Sequence, residues 1–198
     1  MTMKQANIIF KITFYALLCT FFSVNALANW QLSNEQSTLY FISTKNQHIS
    51  EIHHFTHLSG SLSEQGQLAI EIDLASVETG IDIRNTRMRE KLFLVDKFPK
   101  ATLRGSIPVK VMELKVGQSL TIQLPITLQI MGIEKSMTIM AQISLNDDGQ
   151  LLASSTKPIL ISAADFGLKP GVELLQKIAG LGSIGLSVPV TFNVVFAK

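Results

Sequence analysis

From Leu120 to Ile130 every second residue is apolar: Leu120, Ile122, Leu124, Ile126, Leu128 and Ile130. Thr121, Gln123, Thr127 and Gln129 stand between them. Successive strand side chains point to opposite faces, so this spacing predicts a strand with one apolar and one wet face. The pattern returns at Met137, Ile139, Ala141, Ile143 and Leu145, and again at Leu186, Val188, Val190, Phe192, Val194 and Phe196. Gly132 to Lys135 reads as the hairpin between the first two runs.

The same reading along the chain predicts one or two strands over Trp30 to Thr44. His48 to Leu62 is mixed, with a turn at Ser59-Gly60, and Leu68, Ile70, Ile72 and Leu74 form a clean strand. Asn85 to Phe93 is rich in helix formers and predicts a short helix, with Pro99 returning the chain to extended form. Ala101, Leu103, Ile107, Val109 and Val111 share one strand face, with a bend or edge suggested by Gly105 and Pro108. Asn146 to Gly149 is a turn leading into a strand over Leu151 to Ala163. Pro170 starts a short helix running through Lys177, ended by Gly180 or Gly182, and the last strand spans Ile184 to Phe196. The expected fold is all-β: an eight-stranded antiparallel barrel with one or two short helices. Strands of this length favour closure, which removes exposed edges. An outer-membrane barrel would carry aromatic girdles, whereas this chain has two tyrosines and one tryptophan.

The N-terminus changes the picture of composition. Lys4 and Lys11, the apolar run from Ile12 to Val24, and Ala26-Leu27-Ala28 have the order of a cleaved secretory signal. Residues 1–28 are therefore expected to be removed, leaving one domain from Asn29 to Lys198 in the periplasm. The only cysteine, Cys19, follows Leu18 in the apolar run, which argues against lipidation. The mature chain then has no thiol for a disulfide, a metal or catalysis. The whole chain carries 17 Lys+Arg and 15 Asp+Glu. Loss of Lys4 and Lys11 balances the two signs, which disfavours nucleic acid as a partner.

Ser76-Val77-Glu78-Thr79-Gly80-Ile81-Asp82-Ile83-Arg84-Asn85-Thr86-Arg87-Met88-Arg89, followed by Phe93, Asp96, Phe98-Pro99 and Thr102, resembles the YceI-like family. Leu124 to Ser136 and Ala164-Asp165-Phe166-Gly167-Leu168 are similar to two further family segments, in the same order. The resemblance implies a lipocalin-like barrel holding a polyisoprenoid of the quinone or prenyl-phosphate kind, with no enzyme activity and no cofactor. The chain departs from the family pattern at Asn85 and Arg87, where Asp and His are usual. It departs again at Met131 in place of His and at Ala163 in place of Arg.

Three groups of residues are candidates for a site. From periodicity alone, the apolar interior reads as a packed core. The resemblance turns it into a tunnel, with Phe41, Phe55, Leu58, Phe93, Phe98, Leu128 and Ile139 as expected lining. Arg84, Arg87 and Lys91 fall on one helical face, and Arg84 and Arg87 are headgroup candidates at the tunnel mouth. His53, His54 and His57 have the chemistry of zinc or copper ligands, but only Glu51 adds a nearby carboxylate, and no metal is expected. Asp165-Phe166-Gly167 lacks every other part of a kinase, and no Ser-His-Asp set suggests a hydrolase. The expected partner is an isoprenoid lipid, with transient membrane contact. The alternative is an accessory protein of periplasmic electron transfer or stress response, acting through a protein partner without stored lipid.

Overall fold

The computed structural model describes residues 30–198. The expected signal segment, with Cys19, lies outside the described residues. Twelve strands form one antiparallel sheet: β1 (Trp30–Leu32), β2 (Thr38–Lys45), β3 (Ile49–Phe55), β4 (Leu58–Leu62), β5 (Gln67–Asp73), β6 (Val77–Glu78), β7 (Lys100–Ser106), β8 (Ser119–Ile130), β9 (Ile133–Leu145), β10 (Leu151–Ser155), β11 (Ile159–Ser162) and β12 (Ser187–Ala197). Four of the staves are broken into two strands each: β1 with β2, β3 with β4, β5 with β6, and β10 with β11. β3 pairs with β2 and β6, while β4 continues it to pair with β5 and β1. β10 and β11 both pair with β12, one after the other. β12 also pairs with β2, and β1 fills the gap between β12 and β4. The result is a closed, eight-stave antiparallel barrel.

The alternation read from sequence is what closes it. In β8, Ile122, Leu124, Ile126 and Leu128 are buried, while Thr121, Gln123 and Pro125 are exposed. β9 pairs with β8 along its full length, from Ser119↔Ser144 to Ile130↔Ile133. The connecting turn is only Met131-Gly132, both with positive φ (50° and 77°), the geometry of a tight hairpin with the right-handed twist of its strands.

Three local readings differ from expectation. The 48–62 region makes no turn: β3 and β4 run on in one stave with a bend at Thr56-His57, and Ser59-Gly60 lies inside β4. Gly60 is needed there because a Cβ would stand 2.6 Å from the Ala69 carbonyl oxygen on β5. Val109 and Val111 leave the strand for a short helix, α1 (Val109–Met112), entered through Pro108. Val111, 1% exposed, turns inward and stops one end of the barrel with Trp30, Ile107 and Phe196. The strand expected over Leu151 to Ala163 is interrupted between β10 and β11, where residues 156–158 precede a new register on β12.

The other end carries the helices. Asp82–Arg87 forms α2, which runs directly into a π-helical turn at Met88–Phe93. The i→i+5 repeat of that turn sets Phe93 beneath Met88, and both point inward with Leu92. α3 (Lys169–Ala179) begins with Pro170 in its first turn and ends at Gly180, whose φ of 64° suits a glycine cap. α3 rests on the π-turn at Gly171, where a Cβ would stand 2.8 Å from the Lys91 carbonyl oxygen and 2.9 Å from Leu92 Cα.

This contact makes a signed prediction. Alanine is the better helix former by about 1 kcal/mol, so a loosely packed α3 would be stabilised by Gly171→Ala. The close approach instead predicts a net loss of about 1–3 kcal/mol from overpacking, read as a lower urea midpoint with an unchanged m-value.

Candidate functional site

Inside the helix-capped end lies a cavity of about 540 Å³, within the range of roughly 300–1,000 Å³ usual for ligand pockets. Its wall is the inner face of the barrel: Leu39 and Phe41 on β2, Phe55 on β3, Ile72 on β5, Leu103 on β7, Ile126 and Leu128 on β8, and Val188, Val190 and Phe192 on β12. Met88, Leu92 and Phe93 from the π-turn and Val172, Leu175 and Ala179 from α3 roof it. Phe41, Phe55 and Phe93 form a chain of tilted rings along one side, with centroids 5.3 and 5.9 Å apart. Ile81 and Ile83 border the cavity yet are 47% and 56% exposed, so it opens to the surface beside them.

Polar lining is confined to one collar near this opening. β2 and β3 turn Ser43, Lys45, Glu51 and His53 inward, and α2 adds Arg84 and Arg87. Glu51 is the centre of the collar. Its Oε2 accepts from Lys45 Nζ at 2.8 Å and from Arg84 Nη1 at 2.6 Å. The Lys45 hydrogen bond holds the Glu51 carboxyl below the usual carboxylate range against the opposing effect of burial, and the Arg84 charge adds to it. Arg84 is also fixed from behind: Nε donates to Thr79 Oγ1 at 2.9 Å and Nη2 donates to the Thr79 carbonyl. Thr79 in turn donates through its hydroxyl and its backbone N–H to Asn85 Oδ1, at 2.6 and 2.9 Å. Asn85 Nδ2 donates to Glu78, which also accepts from the Gly80 N–H. Asn85 is 4% exposed, and this network satisfies both ends of its amide.

His53 is the other buried polar group, 3% exposed. Its Nε2 lies 2.9 Å from Ser43 Oγ, and Nδ1 has no hydrogen-bond partner among the described residues. Burial pushes its pKa down, and the nearby Arg84 charge pushes the same way, so the ring is neutral at neutral pH.

The structure distributes the sequence candidates unevenly. Phe41, Phe55, Phe93 and Leu128 border the cavity. Leu58 and Ile139 border a second, deeper void of about 90 Å³. Phe98 borders neither; it follows the turn at residues 95–97, just ahead of β7, and lies beside the β8–β9 hairpin, within 3.5 Å of where a Gly132 Cβ would be. Arg84 and Arg87 both reach the collar, but Arg84 is committed to Glu51 and Thr79, whereas Arg87 has no polar partner among the described residues. The three histidines do not converge. His53 points inward, His54 points outward against Tyr40 with centroids 5.9 Å apart, and His57 sits at the bend between β3 and β4, bonded to Thr56 Oγ1. Among the described residues no three His, Cys, Asp or Glu side chains are gathered to hold a metal. Ser43 and Lys45 are not among the sequence candidates, and Glu51 enters there only as a carboxylate near the histidines, although their inward parity with Phe41 and His53 on β2 and β3 is a usable signal.

A model of the YceI-like domain matches residues 30–196. The chain belongs to the YceI-like family. Among solved structures, this YceI-like domain is similar to a polyisoprenoid binding domain from Saccharophagus degradans implicated in plant cell wall breakdown. The identity is 34%, the TM-score is 0.83, and the match covers 87% of this chain and 99% of that one. It also shares its fold with BcnA of Burkholderia cenocepacia at 18% identity, with a TM-score of 0.66 over 84% of this chain and 99% of that one. No curated protein matches the chain. Of the departures from the family pattern, Arg87 and Ala163 border the cavity, while Asn85 and Met131 pack behind its wall.

The collar predicts an acid-sensitive fold. His53 and Glu51 both have folded pKa values below their ordinary values of 6.5 and 4.5. The unfolded chain therefore takes up protons first as pH falls, and stability present above these values is lost below them. Urea titrations are expected to show stability declining below pH 6.5 and again below pH 4.5. In the His53→Gln variant the decline that sets in below pH 6.5 flattens while the one below pH 4.5 persists.

Proposed function

We propose that this YceI-like domain binds and carries an isoprenoid lipid in the periplasm, with the tail in the barrel cavity and the headgroup at the Arg87 side of the collar. The observation that carries the reading is the cavity itself: a deep space with apolar walls and a polar collar at one end only. The similarity to a polyisoprenoid binding domain at 34% identity supports the ligand class. Burial of hydrocarbon is worth about 0.8 kcal/mol per CH₂, so each five-carbon unit contributes at most about 4 kcal/mol. A tail of several units is held strongly without any specific polar contact.

The collar's existing bonds bear on the headgroup. Lys45 and Arg84 already share Glu51, which leaves Arg87 as the lining cation without a partner among the described residues. A diphosphate would meet one uncommitted cation, whereas a quinone ring or a single phosphate suits one cation beside a neutral imidazole. The periplasmic setting rests on the signal-like order of residues 1–28.

Mass spectrometry of protein purified from periplasm without detergent, native and then after organic extraction, tests the reading. A bound species whose masses step by five-carbon units is expected. Leu128→Trp, which fills the cavity from β8, is expected to lose that species while circular dichroism stays β-type. A wild-type protein that is lipid-free and remains so after incubation with quinones and prenyl phosphates overturns it.

Loading is proposed to occur from a bilayer surface. Ile81 and Ile83 stand exposed at the opening, and Leu174 and Ile178, 41% and 40% exposed, lie on α3 next to the cavity-facing Leu175 and Ala179. Apolar side chains flanking the entry of a lipid cavity are suited to the headgroup–acyl boundary. Ile83→Asp is expected to slow uptake of an isoprenoid quinone from phospholipid vesicles several-fold while leaving lipid already bound in place. Unchanged uptake kinetics would show that the rim has no part in loading.

A further inference from the structure

The void of about 90 Å³ beneath the main cavity is lined entirely by apolar side chains. Leu39, Ile72, Leu103 and Phe192 border both spaces. Phe192 on β12 is registered against Leu39 on β2, and Ile72 and Leu103 sit on the neighbouring strands β5 and β7. β12 and β7 are four staves apart in either direction around an eight-stave barrel, so Phe192 and Leu103 face each other across its interior. The four side chains therefore form a waist between an upper chamber that opens to the surface and a small lower one stopped by Val111 and Phe196.

Accepting the isoprenoid reading above, we infer that this waist and the lower chamber are a chain-end subsite that sets the length of isoprenoid the protein retains. A tail entering from the collar runs down the upper chamber and meets the waist. A tail of matching length passes only its terminal, methyl-branched unit into the lower chamber and fills it. A shorter tail leaves the lower chamber unfilled and forfeits those contacts. A longer tail has no room below, because Val111 and Phe196 are 1% and 4% exposed and packed into the core of the closed end. Its surplus carbons remain outside the barrel and contribute no burial. Length selection thus follows from the position of the waist relative to the collar, with Phe192 as the largest of its four side chains.

The probe is an equimolar series of all-trans isoprenyl quinones differing only in the number of five-carbon units. The purified, delipidated protein is incubated with the series, and the bound homologues are read by native mass spectrometry. Wild type is expected to retain a narrow band of lengths. Phe192→Ala, which joins the chambers, moves the band to longer homologues by at least one five-carbon unit. Ala141→Leu, which fills the lower chamber from β9 without touching the waist, moves it to shorter ones. The second variant decides the matter if the first fails to fold. A wild-type protein that binds every length in proportion, or variants that both keep the wild-type band, would overturn the subsite while leaving lipid binding intact. A wild type that binds no member of the series would overturn the carrier reading and the subsite together.

Discussion

Closure of the sheet is the constraint on which everything else depends. β12 is the strand that achieves it, pairing with β10 and β11 on one side and with β2 and β1 on the other. Once the ladder closes, backbone polar groups are satisfied around the circumference, and every second side chain points into one shared interior. The interior then tolerates only apolar groups or polar groups that find partners. Leu, Ile, Val and Phe supply the first kind along most of the wall. The collar supplies the second, and it lies where the barrel meets its helical cap.

The cap explains why the Ser76–Arg89 segment has so particular a sequence. Ser76 accepts from the His57 N–H and donates to the Asp73 carbonyl, patching the break between β3 and β4. Thr79, Gly80 and Asn85 tie the start of α2 to Glu78. That small network presents Arg84 to Glu51 across the opening. The residues joining cap to barrel are thus bonded mainly to one another, and the motif is first a device for holding the opening in shape. Arg87, one turn further on, is left facing the cavity.

Much of the fold was legible because the dominant signal, period two, is local. The β8 and β9 runs, the turn between them, the start of α3 at Pro170 and its end at Gly180 follow from residues in contact along the chain. Val109 and Val111 were misread because they keep strand parity with Ala101 and Leu103, and only the need to stop the end of the barrel favours a helix there. Gly60 imitates a turn signal, and its real cause is a carbonyl on the adjacent strand. At the site, parity placed Phe41 and Phe55 inside, but nothing local distinguishes the committed Arg84 from the uncommitted Arg87, since Glu51 is remote in sequence. The adjacent histidines looked like a cluster only until strand geometry put His53 and His54 on opposite faces.

Among the described residues, the helix α1 and the side chain of Val111 close one end of the barrel, and the cavity opens at the other, beside Ile81 and Ile83. On the carrier reading proposed above, such a vessel would not pass cargo from one end to the other. The last part of a molecule to enter would be the first to leave, and donor and acceptor would meet the same face of the protein in turn. Delivery would then be the reverse of loading, its direction set by which membrane or partner offers the hydrocarbon the lower free energy, with no direction built into the barrel itself.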